Sequence, residues 1–283
     1  MKEKGNTKLL EHRFTNDGLF KIYFVKNRDL LQKLVAALLG VESSSIKNLV
    51  VINSEISSEY LGGKFVRLDI NMNVDGQLVN LEIQVKSENF RDRSLYYWAR
   101  NFSSSLGSGD AYDKLPRTIC VSIIDEPLFD NGGYQSEFRL LETGRHELLT
   151  DKLLLKYFEL PKLPTDIDFS NPLECWLSLF NAKTEDDLHI IERLGVPEMK
   201  KAVKQYHSVV VSDEFKAYLL MKEKAAHDEA QALENERKLV RQEMEAEQKK
   251  STRKLKKIIA DKDAKLADKD AEIAALKAQL ASK

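Results

Sequence analysis

The sequence is poor in the residues that organise disulfide-rich, collagen-like and cysteine-based metal proteins. It contains two cysteines, twelve glycines and six prolines among 283 residues. Cys120 and Cys175 lie far apart in apolar stretches and neither has a CxxC partner, so a disulfide framework and a cysteine zinc site are both excluded. We expect the two thiols to be reduced and buried.

The chain also lacks an excess of charge and any long apolar run. Its 44 Lys and Arg residues and 45 Asp and Glu residues give a formal charge of −1, so any attraction to nucleic acid must come from a local patch. The apolar stretch at residues 34–39 is far too short to span a membrane, and no signal-peptide core precedes it. We therefore expect a cytoplasmic protein with no membrane partner.

Several sequence motifs of cofactor binding and covalent catalysis are missing. There is no GxGxxG and no GxxxxGK[ST], which argues against a dinucleotide or P-loop site. The five histidines are scattered without ligand spacing, and no Ser/His or Cys/His arrangement accompanies an elbow motif. A catalytic function would have to depend on other side chains.

The apolar periodicity indicates a small mixed sheet flanked by helices, an α/β (α+β) fold. Helical spacing runs from Asp17 to Leu39, with a break near Asn27 and a stop at Gly40. A helix is predicted over 89–102, and strands are predicted at 118–124, 138–141 and 153–160. We divide the chain into a core at 1–164, a helical extension at 165–225 that packs on it, and a charged tail at 226–283.

The tail has the composition of a long solvated helix, because it contains no aromatic residue and is rich in Ala, Glu, Lys and Asp. Three heptads follow one another, ADKDAKL, ADKDAEI and AALKAQL. A 4-3 seam of apolar residues is interrupted by two lysines; it comprises Leu255, Ile259, Leu266, Ile273, Leu276 and Leu280, with Lys262 and Lys269 between them. The pattern predicts a weak coiled coil and a homo-oligomer through this helix, with a solitary charged helix as the alternative.

The most informative segment, Phe65 to Lys86, alternates apolar and polar residues on both sides of Asp75-Gly76. Period-two alternation predicts strands with one solvated face, and Asp-Gly is the sequence of a type I′ hairpin turn. Such a turn fixes the register, so that the numbers of paired residues add up to 151. The segment is therefore predicted to be a hairpin.

This register places Asp69 directly opposite Glu82 on the polar face. Like charges opposed on a sheet are destabilising unless a cation or a shared proton bridges them. Hard oxygen ligands without His or Cys favour Mg²⁺ or Mn²⁺ over zinc. The alternative is that both carboxylates are ordinary solvated groups on the outer face of an edge hairpin.

The helix predicted after the hairpin carries cationic and aromatic residues on one face. Arg93, Tyr97 and Arg100 have i, i+4, i+7 spacing. They follow the acidic pair immediately in sequence, a position suited to contacts with phosphate groups. We therefore expect this helix to contribute phosphate contacts.

The order of these motifs resembles that of a known nuclease superfamily. Asp69, a short hairpin and then Glu82-Ile83-Gln84 are similar to the D…(D/E)xK core of the PD-(D/E)XK nucleases, in the branch where Gln replaces Lys. Further segments resemble the Rpn family of recombination-promoting nucleases, also called PD-(D/E)XK family transposases: residues 14–17 with 20–21, 93–98, 109–112, and 158–162 with Trp176. The resemblance covers roughly residues 12 to 225.

The resemblance implies an αβββαβ nuclease core that cuts DNA with a divalent metal and without a covalent intermediate. It implies that Asp69 and Glu82 are metal ligands, that Ile83 offers its backbone carbonyl, and that Gln84 takes the place of the water-positioning Lys. Leu68 stands where the family has Pro, and the missing Lys leaves the general base open. Lys86, on the same face as Gln84, could compensate.

Asp17 and Lys21, at i and i+4 on the first helix, are further candidates for the catalytic site; a simple helix ion pair is the alternative. The leading hypothesis is a Mg²⁺-dependent DNA endonuclease linked to recombination or transposition. The competing hypothesis is an inactive nuclease fold that acts as a binding or assembly protein through its carboxyl-terminal coiled coil.

Overall fold

The computed structural model describes residues 8–52, 60–61, 64–65, 70–85 and 88–281. The chain divides into two compact units, Met1–Met221 and Lys222–Lys283. The first unit contains the sheet and most of the helices, and the second contains only the continuation of the last helix. The division predicted at residue 164, within the first unit, stays a prediction.

The helices account for most of the described residues. They are α1 (Asp17–Lys26), α2 (Arg28–Leu39), α3 (Phe90–Ser104), α4 (Pro172–Asn181), α5 (Glu185–Arg193), α6 (Pro197–Val210) and α7 (Asp213–Ala281). In the ranges that the structure covers, no helix combines the length and the apolarity needed to cross a bilayer.

The strands form a six-stranded mixed sheet and a separate two-stranded one. They are β1 (Leu49–Val51), β2 (Tyr60–Leu61), β3 (Lys64–Phe65), β4 (Ile70–Val74), β5 (Gln77–Gln84), β6 (Thr118–Ile124), β7 (Gln135–Leu141) and β8 (Leu148–Glu159). The large sheet has the order β1-β4-β5-β6-β8-β7. Strands β5, β6 and β8 are parallel, and the other pairs are antiparallel. The predicted α+β class is confirmed.

The amino-terminal helices begin and end where their capping residues require. The Asn16 side chain accepts a hydrogen bond of 3.0 Å from the backbone N–H of Leu19, which satisfies one of the unpaired donors of the first turn. The predicted break falls at Asn27, between α1 and α2. Gly40 ends α2 with a φ of 73°, a left-handed conformation that favours glycine.

The hairpin of β4 and β5 has the predicted turn and register. Asp75 and Gly76 have φ angles of 48° and 85°, as a type I′ turn requires at both central positions. The pairing runs from Val74 opposite Gln77 to Ile70 opposite Leu81. Asp69 and Lys86 lie outside the described residues.

The hairpin lies in the interior of the sheet, because β1 flanks β4 and β6 flanks β5. The expectation of a solvated polar face is therefore wrong at its centre. Asn80 is only 4% exposed, and its amide N–H donates to Asn71 Oδ1 at 2.8 Å. Helix α3 packs against β5 and β6, and the Asn101 amide also donates to Asn71 at 3.4 Å. The polar residues at the centre of this hairpin therefore pair with each other inside the protein and do not face solvent.

Two hydrophobic clusters cover the two faces of the sheet. The larger cluster contains Leu81 and Ile83 of β5 together with buried residues of α1, α2, α4, α5 and α6, including Trp176 and Phe180. The smaller cluster lies under α3 and contains Phe90, Cys120, Ile124, Leu155 and Tyr157. Cys120 and Cys175 are both buried free thiols, as predicted. Glu82 and Gln84 belong to the face that α3 covers.

The start of α7 packs tightly on α1, and this contact yields a stability prediction. A Cβ atom on Gly18 would lie 2.1 Å from Tyr218 Cε1, and the Tyr218 ring is 4% exposed. We expect Gly18→Ala to lower the free energy of unfolding by about 1–3 kcal/mol, because overpacking outweighs the gain in helix propensity. Urea denaturation measures the change.

Gly132→Ala is the matched control, since no atom lies within 4 Å of the position that its added methyl group would take. A second experiment tests whether the Tyr218 ring causes the loss of stability. In a Tyr218→Ala chain the same Gly18→Ala change should be neutral or stabilising, and an equal loss in both backgrounds would contradict the proposed clash.

Candidate active site

Glu82 and Gln84 project from the same face of β5, because alternate residues of a strand share a face. The parallel pairing continues this face across the sheet. Glu82 pairs with Ser122, which pairs with Tyr157, and Gln84 is aligned in the same way with Glu159. These aligned residues lie at the carboxyl edge of the parallel strands β5, β6 and β8, which is where ligands bind in open α/β sheets.

The Glu82 carboxylate is half-buried and lies within electrostatic reach of Tyr157. Burial is the largest cause that raises the pKa of the Tyr157 phenol, and the negative charge of Glu82 adds to it. The Tyr157 hydroxyl is hydrogen-bonded to Ser94 of α3 at 2.7 Å. Glu82 is therefore a carboxylate in a partly desolvated site, a position in which bound cations are favourable.

Arg93 holds Gln84. Its Nη2 donates to Gln84 Oε1 at 2.5 Å, and its guanidinium carbon lies 5.0 Å from the centre of the Phe90 ring. Arginine has only donors, so the Gln84 oxygen is the acceptor and the amide NH₂ group points away from Arg93. The contact fixes which end of the Gln84 amide faces the sheet edge.

Arg13 and Asp125 form an ion pair at the same edge. The guanidinium of Arg13 donates to both carboxylate oxygens of Asp125, at 2.6 and 3.2 Å. The backbone N–H of Asp125 donates to the Gln84 carbonyl at 2.9 Å, which places the pair beside β5. Sequence reasoning missed both residues. Asp125 could have been found because it follows a buried strand, but nothing in the sequence links Arg13 to it.

Glu159, at the end of β8, organises the loop that follows β6. Its Oε1 accepts hydrogen bonds from the backbone N–H groups of Leu128 and Phe129 at 2.6 and 3.1 Å. Lys162 lies 2.8 Å from the same oxygen and compensates its charge in a site that is 1% exposed. The segment 158–162, noted in the sequence for its family resemblance, thus anchors one side of the candidate site.

The remaining predicted site residues lie on both sides of the sheet, on α1 and on α3. Asp17 and Lys21 lie on α1, whose buried residues pack on the opposite face from Glu82. Asp17 Oδ1 accepts from the Tyr218 hydroxyl at 2.8 Å, and Lys21 is 2% exposed. Burial, with the charge of Asp17 second, raises the pKa of the Tyr218 phenol.

On α3, Tyr97 is half-buried and Arg100 is exposed. The Ile83 side chain is buried in the larger cluster, so only its backbone could face a ligand. The structure thus brings Glu82, Gln84 and Arg93 together, and it leaves Arg100 exposed to solvent on the same helix.

The described residues supply one ligand of a possible metal site. Over the ranges that the structure describes, no three His, Cys, Asp or Glu side chains come together to hold an ion. Glu82 supplies one hard oxygen ligand of the type that Mg²⁺ and Mn²⁺ prefer. A site built on Glu82 therefore needs further oxygen ligands from residues outside those ranges, from backbone carbonyls or from water.

The mixed sheet with an α-helix between β5 and β6, and with acidic and amide residues at the carboxyl end of β5, defines a PD-(D/E)XK nuclease-like core. The model of one family, described as PD-(D/E)XK nuclease family transposase, matches residues 14–236. The chain belongs to this family, which gives it a nuclease-like function. No curated protein and no solved structure matches the chain.

Proposed function

We propose that the chain hydrolyses phosphodiester bonds of DNA with the aid of a divalent cation, Mg²⁺ or Mn²⁺. The observation that carries this proposal is the position of Glu82 and Gln84 on one face at the carboxyl end of β5. The described hairpin pairs residues whose numbers add up to 151, and Asp69 and Glu82 have the same sum. Membership of a nuclease family supports a role for this pair of carboxylates in binding the cation.

In this proposal Asp69, Glu82 and the Ile83 carbonyl hold the cation, which when bound supplies a water of lowered pKa and offsets negative charge on the phosphate. Gln84 orients the attacking water through its amide. Lys86 is the candidate for stabilising the charge that develops in the transition state. Asp17 and Lys21 are the further candidates from the sequence. Because α1 packs on the opposite face of the sheet from Glu82, they would act through other residues, and the hydrogen bond of Asp17 with Tyr218 supports such a positioning role.

DNA binding is proposed to involve α3. Arg100 is exposed and can approach a phosphate directly, whereas Arg93 is already engaged with Gln84. Tyr97 is half-buried on the same helix. The link to recombination or transposition rests on the family description alone, and assignment to the Rpn branch remains a proposal.

The decisive experiment incubates the purified chain with supercoiled plasmid and Mg²⁺, beside Asp69→Ala and Glu82→Ala. We expect nicking by the wild type only, and its loss when EDTA removes the cation. Equal nicking by all three proteins would show a contaminating nuclease, and no nicking by any of them would remove the catalytic proposal.

The second candidate function is an inactive nuclease fold that serves as an assembly protein. It is favoured by the Gln at position 84 and by the exposed apolar residues along α7. The plasmid experiment separates it from the first, because an assembly protein would bind DNA or a second copy without cutting.

A further inference from the structure

The part of α7 in the second unit has an apolar stripe whose side chains are exposed. From Ala226 to Lys277 every side chain is exposed. The apolar residues of the seam, with their exposures, are Leu255 (58%), Ile259 (53%), Leu266 (58%), Ile273 (50%) and Leu276 (54%). Long helices in water gain most of their stability from packing such a stripe.

The steps along this stripe assign each residue a heptad position. Alternating intervals of four and three residues place Ile259, Leu266 and Ile273 at a, and Leu255 and Leu276 at d. β-Branched residues at a with Leu at d favour two strands over three or four in parallel coiled coils, and from residue 255 to residue 276 this seam has Ile at two of three a positions and Leu at two of four d positions. The stripe therefore fits one further helix of the same kind.

We propose that a second copy of this chain covers the stripe, and that the two α7 helices pair in parallel and in register. In such a dimer each g residue faces the e residue five positions later in the other helix. Lys265 then meets Asp270 of the second copy, and Glu272 meets Lys277 of the second copy. Both pairs are attractive, and symmetry doubles them.

Other arrangements of the same stripe oppose like charges. An antiparallel pair with full overlap of the seam brings e against e, which sets Asp263 against Asp270 and Lys256 against Lys277. It also brings g against g, where Lys265 attracts Glu272, so the repulsive contacts outnumber the attractive ones two to one. A parallel pair shifted by one heptad contains both Glu272 against Asp270 and Lys265 against Lys277. The charges at e and g therefore favour the parallel, in-register pair.

The two lysines in the seam lower the stability of this arrangement, because each faces the same lysine of the second copy across the seam. Lys262 and Lys269 occupy d positions, and each is followed by an aspartate at e. In a parallel dimer the d side chain inserts beside the e residue of the other helix, so Lys262 neighbours Asp263 and Lys269 neighbours Asp270 of the second copy. The neighbouring aspartates offset part of the repulsion between the opposed lysines.

Charge reversal in the full chain tests the orientation. By sedimentation equilibrium, we expect wild type to form two-chain particles, and Glu272→Lys and Lys277→Glu each to weaken association roughly tenfold, since two attractive pairs become repulsive. The double variant restores the pairs and should return to within about threefold of wild type. In the antiparallel arrangement Lys277→Glu would instead strengthen association, because it relieves the contact with Lys256.

Disulfide formation tests the register directly. Leu266→Cys places two thiols at the same a layer of a parallel in-register dimer, where Cα atoms are close enough for a disulfide. Ala264→Cys, at the outward f position, is the matched control. The two natural cysteines are buried, which keeps the background low.

Rapid oxidation of Leu266→Cys to a covalent dimer, with little from Ala264→Cys, is the expected result. A wild-type chain that remains monomeric at every concentration, a three-chain particle, or equal oxidation of both variants would overturn the proposal. None of these measurements depends on nuclease activity, so failure of the proposed function would leave them unaffected.

Discussion

Glu82→Gln is expected to lower the rate of plasmid nicking by at least about a hundredfold, since a bound cation contributes several kcal/mol to catalysis. Glutamine keeps the size and polarity of the side chain but removes the negative charge that the cation requires. Rates at increasing Mg²⁺ concentration measure the effect, and excess metal should not restore the wild-type value.

The fold should tolerate this substitution. Glu82 is half-buried beside Tyr157, so removing its charge also removes a desolvation cost and an interaction that raises the Tyr157 pKa. We expect the free energy of unfolding to stay within about 1 kcal/mol of wild type or to rise. Glu88→Gln, on an exposed neighbouring residue, is the control. Nicking at the wild-type rate by Glu82→Gln would contradict the role of Glu82 as a ligand.

Arg93→Met is expected to lower kcat by roughly 10- to 100-fold, the usual cost of removing a partner that orients a functional group. The physical reason is that Gln84 loses the donor that fixes its Oε1, so its amide no longer presents the NH₂ group in one direction. Arg93→Lys should recover part of the rate, because lysine can donate one hydrogen bond but lacks the planar fork.

Two comparisons distinguish positioning from phosphate binding. In a Gln84→Ala background, Arg93→Met should cost less than about threefold, because residues that act as a unit are not additive. Arg100→Met, on the exposed part of α3, should weaken DNA binding and raise KM with little change in kcat. Additive losses from Arg93 and Gln84 would argue instead that Arg93 contacts DNA independently.

The hairpin and its neighbours were predictable because their signals are local. Asp75-Gly76 fixes a turn, and the turn fixes the register of β4 and β5. The break at Asn27, the stop at Gly40 and helix α3 follow from capping and periodicity in the same way. The same local signals put Glu82 and Gln84 on one face.

The environment of those side chains was not predictable, because it depends on contacts between distant parts of the chain. The alternation predicts a solvated Asn80, yet α3 covers this residue and Asn71 satisfies its amide. The i, i+4 spacing of Asp17 and Lys21 predicts a site contribution or a helix ion pair, and it does not reveal that Lys21 is only 2% exposed. Burial depends on which elements pack together, and the periodicity of apolar residues in the sequence does not predict that packing.

The sequence by itself determined helices α1 to α3, the hairpin register and the heptads of the tail, since turns, caps and periodic apolar faces arise from neighbours in the chain. Only the tertiary structure decided that Arg93 holds Gln84, that Arg13 pairs with Asp125, and that Tyr218 packs on Gly18. The last two contacts join residues 112 and about 200 positions apart. Such pairs form only when the sheet and helices have assembled, because chain folding brings them together and no local preference encodes them.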